Sequence, residues 1–269
     1  MLLFIYYCYI VLLHLYKKKD MVNFSCNKID FNDYCNPDLK GRIDLIFADP
    51  PYGVTNLGYD KCKFDLSSFW EFVLYYIKTD GVVIISSVIQ FAVDLIQTSP
   101  KGWFRYDIIW EKTSPTGFLN AKKRPLRAHE ILLVFSPSGT HCYNPQMTHG
   151  HKRKVSSASS KVNCKKSELY NKADNYSDYD STDRYPRSVI KFASDKQKLN
   201  IHPNQKPVAL LEWIIRTYSN EGDLVMDPVA GSGTTGIACI HTGRDFILIE
   251  KDPDYYRLMA DRLGKERNN

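Results

Sequence analysis

Two short clusters, far apart in a chain of 269 residues, hold the residue types that could do chemistry. The first is Asp49-Pro50-Pro51-Tyr52, which ends the apolar run at residues 44–48. Its two prolines fix φ and carry no N–H, leaving the carbonyls of Asp49 and Pro50 without competing partners nearby. A carboxylate beside a backbone carbonyl can accept both N–H bonds of one planar amino group, with Tyr52 as a stacking face. Taken alone, the tetrapeptide also reads as a Pro-Pro turn closing a strand, with Tyr52 as a half-buried aromatic. The second cluster is Asp227-Pro228-Val229-Ala230-Gly231-Ser232-Gly233-Thr234. Gly231 and Gly233 let the backbone turn tightly and approach a ligand, and the helix that follows offers free N–H groups. Glu250 ends the next apolar run, where a carboxylate can accept both hydroxyls of a ribose. Gly231, Gly233 and Gly236 meet the G-x-G-x-x-G spacing, so this loop by itself leaves a dinucleotide open.

These clusters need a sheet to position them. Residues 27–30 read as a short strand, 44–48 as a buried strand, and 69–77 as a helix, with Gly81 opening a strand at 82–86. Residues 107–111 and 131–135 add two more strands. Such strands are apolar throughout rather than alternating, which predicts a mostly parallel sheet covered on both faces. Pro207 starts a helix whose face is Leu211, Ile214, Ile215 and Tyr218, and Gly222 ends the segment. Next come a strand at 224–226, the glycine loop, and a helix at 234–241 closed by Gly243. A strand at 246–249 then ends in Glu250, and Asp252-Pro253 caps a last helix at 254–263. Strand, glycine turn, helix, strand and acid form a nucleotide-type βαβ unit, so the expected class is α/β and Rossmann-like.

The composition, 43% hydrophobic and 25% charged, is that of a folded globular chain and excludes a mainly disordered one. Seven dispersed cysteines with no C-x-x-C pair argue against structural zinc and a disulfide framework. A reducing cytoplasm and no metal are therefore expected. Residues 1–16 are apolar except for His14 and precede Lys17-Lys18-Lys19-Asp20. That run is shorter than the ~20 residues that span a bilayer and lacks the marks of a signal peptide. The expectation is an extension at residues 1–20 outside the native domain, with no membrane partner; the alternative reading is a tilted anchor with a basic flank.

The net charge of +6 is unevenly placed. Residues 151–166 carry Lys152, Arg153, Lys154, Lys161, Lys165 and Lys166 and no acid, and Lys122, Lys123, Arg124 and Arg127 form another basic cluster. The first patch reads equally as a solvated insertion or as a nucleic-acid contact.

Asp-Pro-Pro-Tyr followed far downstream by Asp-Pro-x-Ala-Gly-Ser-Gly-Thr resembles the DNA amino-methyltransferases, in the permuted order called the β class. The resemblance covers roughly residues 27–135 and 188–263. It implies a Rossmann-like methyltransferase sheet with circularly permuted motifs: a catalytic half at 21–140, a target-recognition insertion at 141–200 and a cofactor half at 201–269. It further implies S-adenosylmethionine as methyl donor and N6 of a flipped-out adenine in double-stranded DNA as acceptor. On this likeness Asp49, Pro50, Pro51 and Tyr52 are the catalytic motif. Asp227, Ala230, Gly231, Ser232, Gly233 and Thr234 are the cofactor loop, and Glu250 is the ribose-binding acid. Asp30 falls where the family's acid meets the cofactor's adenine, although Ile29 replaces the usual preceding glycine. Val229 stands where the family commonly has Phe.

Residues 202–207, with Gln205 and Lys206, are similar to the segment leading into a cofactor-contacting helix. His129-Glu130 is family-like and reads equally as a strand-edge pair without direct chemistry. DNA contact is expected from Lys122, Lys123, Arg124, Arg127, Lys152, Arg153 and Lys154. Tyr170, Asn171, Asn175, Tyr176, Tyr185 and Arg187 include types able to read base edges. Two other readings stand beside this one. Cytosine N4 is the close alternative, for which the family more often uses Ser where this chain has Asp49. The other is a non-catalytic nucleic-acid-binding protein with a vestigial methyltransferase fold. A homodimer is left open.

Overall fold

Strand β2 (Ile43–Ala48) buries both of its faces: Leu45 and Phe47 enter one apolar layer, Ile46 and Ala48 the other. Leu45, Ile46 and Phe47 each contribute about 1.5–3 kcal/mol by leaving water. The computed structural model describes residues 22–53, 64–157, 178–193 and 205–267. The N-terminal extension, Cys62, Cys164, Lys161, Lys165, Lys166, Tyr170, Asn171, Asn175, Tyr176 and residues 202–204 lie outside them.

The main sheet holds β1 (Phe24–Asn27), β2, β3 (Ile77–Ser87), β4 (Phe104–Thr116), β5 (Arg127–Phe135), β8 (Val189–Phe192), β9 (Leu224–Asp227) and β10 (Asp245–Ile249). Their order is β1-β10-β9-β2-β3-β5-β4-β8. Strands β1, β10, β9, β2 and β3 run parallel, β5 is antiparallel to both β3 and β4, and β8 is parallel to β4. Helices α1 (Leu66–Tyr76) and α2 (Ile89–Thr98) cover one face through Phe69, Val73, Phe91 and Leu95. On the other face lie α3 (Val208–Tyr218), α4 (Thr234–Thr242) and α5 (Pro253–Arg267), with Leu211, Ile214, Ile215, Ile237 and Met259. The start of α1 is fixed by Asp65, whose carboxylate accepts the backbone N–H groups of Ser67 and Ser68 at 3.0 and 3.2 Å.

The α/β class and the mostly parallel sheet agree with the sequence reading, and the local differences have physical causes. The first strand lies at Phe24–Asn27 rather than at 27–30, because Phe24 to Asn27 pair with Phe246 to Ile249. Gly81 does not open β3. It lies inside the strand, where a Cβ would come 2.7 Å from Ile77 Cδ1, beside a register shift between Ile43 and Leu45. The outer face of helix α2 mixes exposed Ile89, Val93 and Ile96 with Gln90, Asp94 and Gln97, so its periodicity is blurred.

Pro145–Arg187 forms one compact unit and the remaining described chain another. The smaller unit contains a two-stranded sheet of β6 (Lys154–Ser156) and β7 (Tyr179–Ser181). Arg184 donates to the carbonyls of Ser181 and Asp183 at 3.1 and 2.6 Å, and to that of Lys152. Residues 189–192, read from the sequence as part of the insertion, extend the main sheet along β4, with Ile190 buried. No helix among the described residues is long and apolar enough to cross a membrane. Nor do the described residues include a group of three or more His, Cys, Asp or Glu placed to hold a metal ion.

Candidate active site

Strands β2 and β9 are parallel neighbours, with Leu45 opposite Val225 and Ile46 opposite Met226. The chain leaves β2 through α1 toward β3 and leaves β9 through α4 toward β10, on opposite sides in the sheet order. That reversal makes the C-terminal ends of β2 and β9 a topological switch point, where open α/β sheets carry the crevice that binds their ligands. Asp49 follows β2 directly and Asp227 closes β9, so both sequence clusters flank this crevice.

Around Asp49 the structure assembles a buried polar chain. The Tyr52 hydroxyl donates to Asp49 Oδ1 at 2.6 Å and lies 2.8 Å from Ser86 Oγ, near the end of β3. The Tyr52 ring packs against Phe91, with centroids 5.6 Å apart. Lys206 donates to Asp49 Oδ2 at 2.6 Å and lies 3.1 Å from Glu130 Oε2, while Lys112 pairs with the other Glu130 oxygen. Two ammonium groups thus face two carboxylates, and the Lys206 side chain is only 7% exposed. Burial pushes the Glu130 carboxyl up, but Lys206 and Lys112 outweigh it and hold it at about 2. Burial opposes the charge on Lys206, and Asp49 and Glu130 outweigh that too, leaving its pKa raised. Burial first, then Asp49 and Glu130, raise the Tyr52 hydroxyl well above its ordinary value, so it remains a donor.

The glycine loop is built on left-handed turns. Gly231 and Gly233 have φ of 53° and 77°, a region that strains any residue with a Cβ. At Gly233 a Cβ would also come 2.6 Å from Met259 Cγ on α5. Gly236 packs α4 closely, with a virtual Cβ 2.9 Å from both Leu248 and Leu263 side chains. The Gly231 N–H donates to Glu250 Oε2 at 2.7 Å, and the Asp252 N–H to Oε1 at 2.8 Å. Arg262 on α5 donates to the Ser232 carbonyl at 2.6 Å and lies 3.3 Å from Thr234 Oγ1. Ala230 is buried beside them, its N–H donating to the Ile249 carbonyl at 2.9 Å. Asp30, beyond β1, accepts from the Asn32 N–H at 3.0 Å and pairs with Lys251 at 3.2 Å.

Gln205 is 5% exposed, and among the described residues neither its Oε1 nor its Nε2 has a hydrogen-bond partner. An unpaired buried amide costs ~1–3 kcal/mol, so this residue suits a ligand that supplies both a donor and an acceptor.

Asp227 is buried and accepts hydrogen bonds from the Val229 N–H at 3.0 Å and from the Thr235 hydroxyl. Burial pushes its carboxyl up to about 7 despite those bonds. An unfolded Asp loses its proton near ~4, so between there and pH 7 the folded state holds the extra proton and stability falls as pH rises. Asp227→Asn should therefore flatten this fall. Urea midpoints measured across the window check it, and parallel curves would show that Asp227 does not titrate there.

The structure brings Asp49, Tyr52 and Lys206 together, with Asp227, the 230–234 loop and Glu250 on the adjoining strand ends. Lys206, grouped on the sequence with the cofactor segment, places its ammonium on Asp49. Lys122, Lys123 and Arg124 are exposed in the β4–β5 loop and Arg127 is half-buried. Lys152, Arg153 and Lys154 are exposed in the other unit, where Arg153 Nε donates to Asp180 at 2.6 Å. Sequence reasoning missed Ser86 and Lys112. The available signal was polar residues at the rim of apolar runs, on the same sheet edge as Asp49.

Comparison with known proteins follows the same lines. A family described as DNA methylase matches residues 43–261. The chain is 31% identical over 239 residues to the DNA adenine methyltransferase YhdJ of Escherichia coli strain K12, covering 82% of this chain and 76% of that protein. It is 27% identical over 280 residues to the type II methyltransferase M2.DpnII of Streptococcus pneumoniae, covering 93% and 92%. Among solved structures, the M1.HpyAVI–SAM complex superposes with a TM-score of 0.61 at 24% identity, covering 89% of this chain and 98% of that one. The cytosine-N4-specific PvuII DNA methyltransferase gives 0.60 at 18% identity, covering 91% and 92%. At these identities the structures speak for a shared fold.

Proposed function

The chain belongs to the DNA methylase family, and from that premise we propose that it methylates N6 of adenine in DNA, drawing on S-adenosylmethionine. The observation that carries this reading is the adjacency of β2 and β9, which sets the Asp49 turn beside the glycine loop. The presence of Asp rather than Ser at position 49, and the likeness to an adenine methyltransferase, support adenine over cytosine.

When bound, the donor supplies an already electrophilic sulfonium methyl. The protein's task is to prepare the acceptor, an amino group whose lone pair is delocalised into the purine ring. Asp49 and the Pro50 carbonyl accept its two N–H bonds, draw the nitrogen toward tetrahedral geometry and localise the lone pair. Lys206 pairs with Asp49 and holds its carboxylate in place as positive charge develops on that nitrogen. Tyr52 offers a ring against which an extruded base stacks, offsetting part of the cost of unstacking. On the donor side, Gly231 to Thr234 and the start of α4 line the approach, Glu250 takes the ribose hydroxyls, and Asp30 and Gln205 complete the set. DNA is held by the basic residues of the β4–β5 loop and of the Pro145–Arg187 unit.

Labelled methyl transfer to unmodified DNA, followed by nucleoside analysis, tests the proposal. N6-methyladenine is expected. N4-methylcytosine would move the target, and no product from a protein shown to bind the donor would refute the reading. Glu250→Ala should weaken donor binding by about tenfold or more, since hydrogen bonds to a charged acceptor contribute ~1.5–3 kcal/mol. Calorimetric titration measures this, and an unchanged dissociation constant would remove Glu250 from the site.

A further inference from the structure

The tip of the β4–β5 hairpin combines features that neither a packed core nor a solvated loop explains. Phe118 is 80% exposed and Leu119 97%, more than any other large apolar side chain among the described residues. They are held on an ordered turn. Gly117 turns the chain at φ 89°, and Phe118–Asn120 form a 3-10 turn in which Asn120 N–H donates to the Gly117 carbonyl at 2.9 Å. The N–H groups of Lys123 and Arg124 both donate to the Asn120 carbonyl, at 2.8 and 3.0 Å. Lys122, Lys123 and Arg124 follow directly and are exposed, and no acid occurs between Glu111 and Glu130.

The hairpin grows out of the rim of the site. Glu130 and Lys112, which belong to the charged chain at Asp49, lie at its base. The strand pairing continues from Trp110 opposite Glu130 to Thr116 opposite Arg127, three residues or ~10 Å further out. An apolar point ringed by cations and free of carboxylates complements a polyanion with an apolar interior. Stacked bases between two phosphate backbones are such a partner, and apolar side chains pushed between base steps are a known way to open them.

We propose that Phe118 and Leu119 form a wedge that enters the base stack of duplex DNA and holds open the gap left when the target base swings out. This deepens the methyltransferase reading and rests on it for the identity of the partner. Lys122, Lys123 and Arg124 grip the flanking phosphates, and the preformed turn lowers the ordering cost of insertion.

The test uses the full chain, unmodified plasmid DNA and permanganate, which oxidises unstacked thymines. The parent protein should raise thymine reactivity at discrete places. Phe118→Ser/Leu119→Ser should lower that reactivity and duplex methylation by about tenfold, in line with stacking and insertion energies of side chains at base steps. It should leave the salt dependence of DNA binding unchanged and methylate linearised, heat-denatured and rapidly chilled plasmid at the parental rate, because single strands need no opening. By contrast, Lys122→Ala/Lys123→Ala/Arg124→Ala should weaken binding and flatten its salt dependence.

Equal loss on duplex and single strands, or unaltered permanganate reactivity in the serine variant, would overturn the wedge. So would a dimeric parent that becomes monomeric in that variant, which would make the tip an interface between copies. If the parent unstacks thymines but transfers no methyl group, the reaction assignment fails and the wedge stands. If it methylates duplex DNA without unstacking, the wedge fails and the reaction stands.

Discussion

Asp49→Ala will lower methyl transfer by ~10³-fold or more while leaving donor affinity unchanged, because a preorganised group facing the developing charge is worth ~10²–10³ by itself and here also fixes the acceptor. On the proposed mechanism, the alanine removes the oxygen that takes one N–H of the target amino group, and with it the negative charge nearest the forming ammonium. It also frees the Tyr52 hydroxyl and one side of Lys206. Asp49→Asn separates these effects. It keeps one acceptor and nearly the same shape, yet it carries no charge and turns an N–H₂ toward the substrate, so it should remain close to the alanine variant. Single-turnover methylation and calorimetric donor binding on the same preparations provide the check. Transfer surviving in both variants would take Asp49 out of the chemistry. Loss of donor binding would make its role structural.

Lys206→Met should destabilise the fold by ~3–5 kcal/mol at neutral pH, the usual penalty for stripping one partner from a buried ion pair. Methionine matches the length of the lysine stem but leaves Asp49 facing Glu130 with only Lys112 to offset them. With the ammonium gone, the Glu130 carboxyl holds its proton to higher pH than in the parent. The deficit of the variant should therefore shrink as pH is lowered and Glu130 becomes neutral. Adding Glu130→Gln should recover part of the loss at pH 7. Urea midpoints at two pH values and the double-mutant cycle measure this. A pH-independent deficit, or strict additivity, would show that lost packing rather than charge is responsible.

The parts of the site legible in the sequence are those whose geometry is contiguous. Asp49 to Tyr52 carry their own turn, and Gly231 and Gly233 announce a left-handed loop before a helix. The charged chain was hidden because its members are joined only by strand order. Strand β5 lies antiparallel between β3 and β4, so Ser86 reaches Glu130 from one side and Lys112 from the other. Residues 131–135, buried on both faces, look the same in either direction, and nothing local reveals that this strand is reversed. Lys206 was visible as part of a segment, but its partner Asp49 lies 157 positions away. Strand β8 was hidden for a related reason: four residues suffice to extend an edge, too few for periodicity to register.

The fastening of the chain at residues 144 and 188 has an evolutionary corollary. The Asn144 N–H donates to the Thr217 carbonyl at 2.7 Å, and its side-chain amide reaches the Ser219 carbonyl at 3.2 Å. At the other end, the Ser188 carbonyl accepts from the Ile109 N–H at 2.7 Å. Both anchor points are main-chain or near-main-chain attachments to the larger body, indifferent to what is spliced between them. A lineage can exchange the intervening forty-three residues as a cassette, Pro145 to Arg187, without renegotiating the sheet. On the proposal that this unit contacts DNA, grafting that stretch from a relative should change the sequence preference and leave the main sheet intact.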